Sequence, residues 1–367
     1  MPVQTDEIHE KERRVRELML IEGLDALALS TVANFAWFTC GGSNYVGIAS
    51  ETGVASMIVT RDAKYIVCDN IETRRIADEE VAGQGLEFRT CEWHEGRKDE
   101  LIREIAGGGV LGSDVPLDGA RNVAAAVEPC RWSLTPLELE RYEYLGAEVG
   151  ECLAATAREI EPGMTEHEIG GLLDGRLRAR GIVPLVTLIA ADERIERYRH
   201  PIPTEKKLER YVMLVTGARK WGLVVSATRI VHFGPAPAEL RRKHDAVARV
   251  DAEFIAATTV GTRMGDIFDR GVAAYRETGF VDEWRLHHQG GPTGYKSREF
   301  RVTSSTGARV VENQAFAWNP SITGTKTEDT IIATPSGPRI ISLAGGWPVI
   351  EIEVSGGIVR RPDILVR

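Results

Sequence analysis

The chain has 367 residues, of which 43% are hydrophobic and 27% charged, enough apolar material for two ordinary globular domains or one large one. Lys+Arg number 45 against 54 Asp+Glu, a formal net charge of −9. A mildly acidic chain repels phosphate backbones, and no basic run marks a nucleic-acid or membrane-surface patch, so neither partner is expected. Cys40, Cys68, Cys91, Cys130 and Cys152 are scattered with no C-x-x-C pair, as expected of reduced thiols in a cytoplasmic protein. No apolar run approaches the ~18 residues a membrane span needs, and the charged amphipathic start is unlike a signal peptide.

In chain order, a helix is predicted over about 6–23, followed by a strand at 25–30. MIVT (57–60) and KYIVCDN (64–70) predict a hairpin with RDA as its turn. IETRRIADEEVAG (71–83) predicts a helix, and VLGSD (110–114) a strand. This α/β region ends near residue 130, and the boundary is drawn as 1–133 and 134–367. LTPLELERYEYLGAEVGECLAATAREI (134–160) has apolar residues at three- and four-residue spacing, with Pro136 in the first turn, where a helix tolerates it. Thr165 with Glu168 three residues on has the form of a capping box for the next helix. A hairpin-like segment over 212–234, two helices near 236–278 and a strand- and glycine-rich end complete the chain. DERIERYR (192–199) predicts a solvated strap.

Several segments carry a resemblance. EPGMTEHEI (161–169) is similar to "kpGmtE-x-E", and His200 in RHPIPT to a substrate-side histidine. GARKWGLVVSATRIVHFG (217–234) is similar to "GA-x-x-x-GY-x-SD-x-TRT-x-x-x-G", and GGPTGYKSRE (290–299) to "GH-x-x-G-x-x-x-HE". FAWNPSI (316–322) and GTKTEDTIIAT (324–334) are similar to "F-T-I-EPGI" and "G-x-R-IEDT-x-x-VT". In this order they resemble the creatinase/prolidase (M24-type) family. NFAWFTCGG (34–42) is similar to that family's N-terminal "N-x-x-Y-L-T-G-F". The resemblance implies an α+β protein: a C-terminal pita-bread (creatinase/aminopeptidase) domain behind a smaller N-terminal α/β creatinase-type domain. It also implies a homodimer.

The resemblance further implies where a two-metal site belongs, and there the chain departs from the family. The two Asp positions hold Val215 and Ser226, the His position Gly291 and the first Glu position Asn319; only Glu328 keeps a carboxylate. Valine and glycine have no side-chain donor, and one carboxylate with an amide and a hydroxyl is a poor host for two hard cations. No metal and no cofactor are therefore expected. The family includes metal-free members such as creatinase; creatinase and a relative, ectoine hydrolase, both act on amidine-like carbons, where no Lewis acid is strictly required. His200 has the intrinsic pKa of a general acid/base, and Glu328 is expected to bind substrate or water. Arg298, where peptidases put a second histidine, offers a fork for a substrate carboxylate. His287, His288, Tyr295, Ser226, Asn319 and Lys326 are the further substrate-binding candidates. Glu328 and Asp329 are neighbours on a strand and must face opposite ways.

The expected function is a metal-independent hydrolase or lyase cleaving a C–N bond of a small amidine, guanidino or amide metabolite. Two alternatives stand beside it: a non-catalytic pita-bread binding protein, as in a eukaryotic histone chaperone, or a Xaa-Pro-type peptidase with a metal relocated to His287 or His288.

Overall fold

A computed structural model describes residues 5–367, which fall into two compact units. One unit runs to Glu138 and takes in Trp221–Leu223; the other holds Leu139–Lys220 and Val224–Arg367.

The first unit is built on strands β1 (Ala26–Thr31), β2 (Thr52–Thr60), β3 (Lys64–Asp69), β4 (Glu87–Cys91), β5 (Leu111–Ser113) and β6 (Arg121–Asn122), ordered β4-β3-β2-β1-β5-β6. The expected hairpin is present: β2 and β3 pair antiparallel with Val59 opposite Lys64. Central β1 pairs antiparallel with β2 and parallel with β5. Alternate residues of these strands, Ala26, Ala28, Ile58 and Val67, bury one face of the sheet against Ile102 of helix Lys98–Ala106. The helix at Thr5–Glu22 matches expectation. The helix over 71–83 matches in part: it spans 73–80, α-helical over Thr73–Arg75 and widening into a π turn over Ile76–Glu80. The Val81 N–H donates to the Ile76 carbonyl, and Gly83 at φ 78° ends the segment.

The second unit opens within helix Pro136–Glu159, from Leu139 on, and continues with helix Glu166–Ala179, held by the full Thr165/Glu168 capping box. β7 (Val183–Ala191), β8 (Tyr211–Lys220) and β9 (Leu223–His232) follow, then helices Ala238–Ala257 and Met264–Glu277. The predicted strap at 192–199 is partly helical, Glu193–Arg197. The remaining strands are β10 (Gly290–Thr293), β11 (Gln314–Trp318), β12 (Ser321–Ile322), β13 (Thr325–Lys326), β14 (Asp329–Thr334), β15 (Gly337–Ile340), β16 (Val349–Val354), β17 (Gly357–Pro362) and β18 (Leu365–Val366). Two four-stranded sheets result, β18-β9-β8-β7 and β10-β11-β14-β15. β8 is buried apart from its two end residues, and β9 is buried along its whole length. Phe254, Phe316 and Trp318 stack in the main core, with Phe254 and Trp318 centroids 4.8 Å apart. Their burial fixes β11, and with it Asn319 at its end.

The two sheets are tied where β9 meets the start of β14. Thr228 of β9 bridges Glu328, its N–H donating to the Glu328 carbonyl at 3.0 Å. One step along, the Ser226 N–H donates to Thr330 Oγ1 at 2.9 Å, and that hydroxyl donates back to the Ser226 carbonyl. This seam sets the register that brings Ser226, Thr228 and Glu328 together. Among the described residues no helix is long and apolar enough to cross a membrane. All five cysteines are free thiols.

Candidate functional site

At that seam the second unit holds a cavity of about 130 Å³. His200, Ser226, Arg298, Asn319, Lys326 and Glu328, six of the residues singled out in the sequence, line it. The apolar wall is Val186 and Leu188 of β7 with Val215 of β8, which is cross-strand partner to Leu188. Val215 also packs into a core cluster with Ala190, Met213 and Ile230. Three other candidates lie off this wall. Tyr295 is 3% exposed and buried in the unit. His287 lines a smaller neighbouring cavity, which it shares with Lys326. His288 stacks on His287, ring centroids 4.3 Å apart.

Glu328 sits at the centre of the polar side. Its Oε1 accepts from Arg298 Nη2 at 2.9 Å; its Oε2 accepts from Lys326 Nζ at 2.8 Å and from Thr228 Oγ1 at 3.0 Å. Lys326 stands two residues from Glu328 and shares its face, whereas Asp329 turns away, as expected. Asp329 is buried in a separate network with Arg229 and Arg361 at 2.8 Å each, and Arg361 also meets Asp251 at 2.6 Å. Burial alone would raise the Glu328 carboxyl; the charges of Lys326 and then Arg298 outweigh it and hold the group down to about 2. Glu328, expected to face substrate or water, thus has both oxygens engaged by cations.

The histidines are held neutral. Burial, then the charge of Lys326, lowers the His200 pKa, with Glu328 opposing. His287 falls to about 3 through burial, Lys326 and its histidine neighbours. His288 falls to about 4 through burial and the charges of Arg298 and Arg301. His287 Nε2 and His200 Nε2 lie 3.0 Å apart. Four buried polar atoms here have no hydrogen-bond partner: Arg298 Nε, Asn319 Oδ1, His287 Nδ1 and His288 Nδ1.

A dinuclear metal centre of the M24 type does not fit these residues. The Val215 side chain offers no donor atom, and Glu328 already serves the Lys326 ammonium and the Arg298 guanidinium. Gly291, at the position resembling the family's histidine, sits at φ 151°, and a Cβ added there meets the Phe300 carbonyl oxygen at 2.6 Å. The adjacent Gly290 is tighter still, 2.2 Å from the Ala317 carbonyl oxygen. The backbone has closed over the space a side chain needs.

Residues 140–354 match metallopeptidase family M24. The chain belongs to that family. A relative, an uncharacterised peptidase of Staphylococcus saprophyticus, is 20% identical over 356 residues, spanning 91% of this chain and 99% of its own. Among solved structures, the prolidase of Pyrococcus horikoshii superposes with a TM-score of 0.78 at 18% identity, covering 92% of this chain and 99% of its own. The Xaa-Pro dipeptidase of Bacillus anthracis gives 0.77 at 17% identity, covering 98% of this chain and all of its own. The pita-bread fold with its N-terminal domain is therefore the fold of this M24 protein.

Sequence reasoning missed two parts of the site. Thr228 stood unremarked inside the 217–234 segment, yet its hydroxyl completes the Glu328 cage. Val186 and Leu188 were not noted; their signal was their period-2 spacing along β7.

Proposed function

We propose that this M24 protein is a hydrolase that cleaves a C–N bond of a small carboxylate-bearing amide, amidine or guanidino compound without the family's dinuclear metal. The observation that carries this reading is the saturation of Glu328 by Lys326 and Arg298. A carboxylate so occupied is poorly placed to ligate a metal. Two cations against one carboxylate leave the polar wall net positive, which favours an anionic substrate. Arg298, with its Nε free of partners, suits a substrate carboxylate. Asn319 Oδ1, an unused acceptor, suits a substrate N–H. His200 is the general base for water, since its lowered pKa keeps the imidazole unprotonated near neutrality. A volume of about 130 Å³ is below the ~300–1,000 Å³ of drug-sized clefts and suits a compact metabolite. The same reading takes the assembly as a homodimer and the partner as a small molecule.

The test uses protein dialysed against chelator and a panel of guanidino acids, cyclic amidine acids, N-acyl amino acids and Xaa-Pro dipeptides. Turnover of at least one acid is expected, lost in His200→Ala and with a raised KM in Arg298→Ala. Cleavage of Xaa-Pro dipeptides alone, and only after adding Mn²⁺, overturns the proposal.

A further inference from the structure

His200, which lines the cavity, and His287 and His288 beside it form a second constellation, of which the hydrolytic reading uses only His200. His200, His287 and His288 each place one ring nitrogen within 4.8 Å of the others. His200 Nε2 and His287 Nε2 are already 3.0 Å apart. Nitrogens on the edge of a tetrahedron with metal–N bonds of about 2.0–2.1 Å are separated by roughly 3.3 Å. Small side-chain rotations therefore bring all three to one ion. Neutrality, the form a metal requires, is already imposed on all three rings by their surroundings. His287 Nδ1 and His288 Nδ1 are buried without partners, so no hydrogen bond at those atoms commits either ring to its present rotation.

We infer that His200, His287 and His288 form a mononuclear site for an imidazole-preferring divalent ion of the zinc type, separate from the carboxylate positions of the family. Donor chemistry selects the ion: three imidazoles suit Zn²⁺, Co²⁺, Ni²⁺ or Cu²⁺ and are a poor set for Mn²⁺ or Mg²⁺. The charges of Lys326 and Arg301 oppose a bare cation, with Glu328 offsetting them. They favour an anion, hydroxide or carboxylate, as the ion's fourth ligand. His200 is exposed, so an entry path exists. Metal on His200 removes the general base, so occupancy inhibits turnover; that consequence alone rests on the proposed hydrolytic reading.

The probe is Co²⁺ titrated into chelator-stripped protein, followed by its visible d–d absorption with no substrate present. One equivalent per chain is expected, with tetrahedral-type intensity, displaced by Zn²⁺. His200→Ala, at an exposed position that does not threaten the fold, and His287→Ala each weaken binding at least tenfold. Ser226→Ala, on the wall of the family's ligand positions, leaves it unchanged. Absence of saturable binding, or binding that survives both histidine substitutions, overturns the site. Binding as expected without loss of turnover leaves the site standing and refutes His200 as the base.

Discussion

Replacing Glu328 by Gln removes one charge from a group 3% exposed while keeping its shape. The size of the effect follows from how strongly the folded protein prefers the carboxylate. Its pKa drops from 4.5 to about 2, and each unit is worth about 1.36 kcal/mol, so the cage favours the charged form by about 3 kcal/mol. The same range, about 3–5 kcal/mol, is typical when one partner of a buried pair is deleted and the other is left uncompensated. Here the stranded cations are Lys326, with a side chain 6% exposed, and Arg298. Glu328→Gln is therefore expected to lower unfolding free energy by about 3 kcal/mol in urea titrations at neutral pH. Lys326→Met alone costs less, because Arg298 and Thr228 still hold the carboxylate. The double variant recovers part of the loss, since its remaining pair is neutral and of similar volume, so the cycle shows a coupling above about 1 kcal/mol. A Glu328→Gln penalty under about 0.5 kcal/mol, or strict additivity in the cycle, refutes the caged carboxylate.

Two further outcomes are expected. Gly291→His does not rebuild a ligand: its Cβ lies 2.6 Å from a backbone oxygen, so thermal unfolding shows a loss of about 2 kcal/mol or more, and a neutral substitution contradicts this. His244, buried between Thr325 Oγ1 and the Pro362 carbonyl, titrates at about 4 when folded against 6.5 unfolded, burial being the main cause. The unfolded chain binds the proton first, so this stability is complete above pH 6.5 and is lost as pH falls; at pH 5 the loss is about 2 kcal/mol. Unfolding curves at pH 7 and 5 check it, and His244→Gln flattens the difference; an unchanged difference in the variant contradicts the assignment.

The sequence carried much of this architecture because its signals are local. The Thr165/Glu168 box, the RDA turn and the opposed faces of Glu328 and Asp329 each need only a few neighbouring residues. The 71–83 segment was legible as a helix but not as one ending in a π turn, because the pattern does not encode the i→i+5 hydrogen bond that closes its last turn. Within the site, the sequence showed which side chains stand where the family's ligands are expected, but not what surrounds them. Only the fold shows that Gly291 lies against the Phe300 backbone, and that Val215 joins an apolar cluster. Likewise, His200 and His287 are far apart in the chain and meet only through tertiary packing. The occupation of Glu328 by Lys326 is half legible, from the i, i+2 spacing; the arrival of Arg298 is not.

The most direct measurement is a calorimetric titration of Mn²⁺ into chelator-stripped protein. Expected is no saturable binding in the micromolar range, because Val215, Ser226, Gly291 and Asn319 supply no carboxylate or imidazole and Glu328 is engaged by Lys326 and Arg298. Uptake of two equivalents per chain, abolished by Glu328→Gln, contradicts a dismantled metal centre.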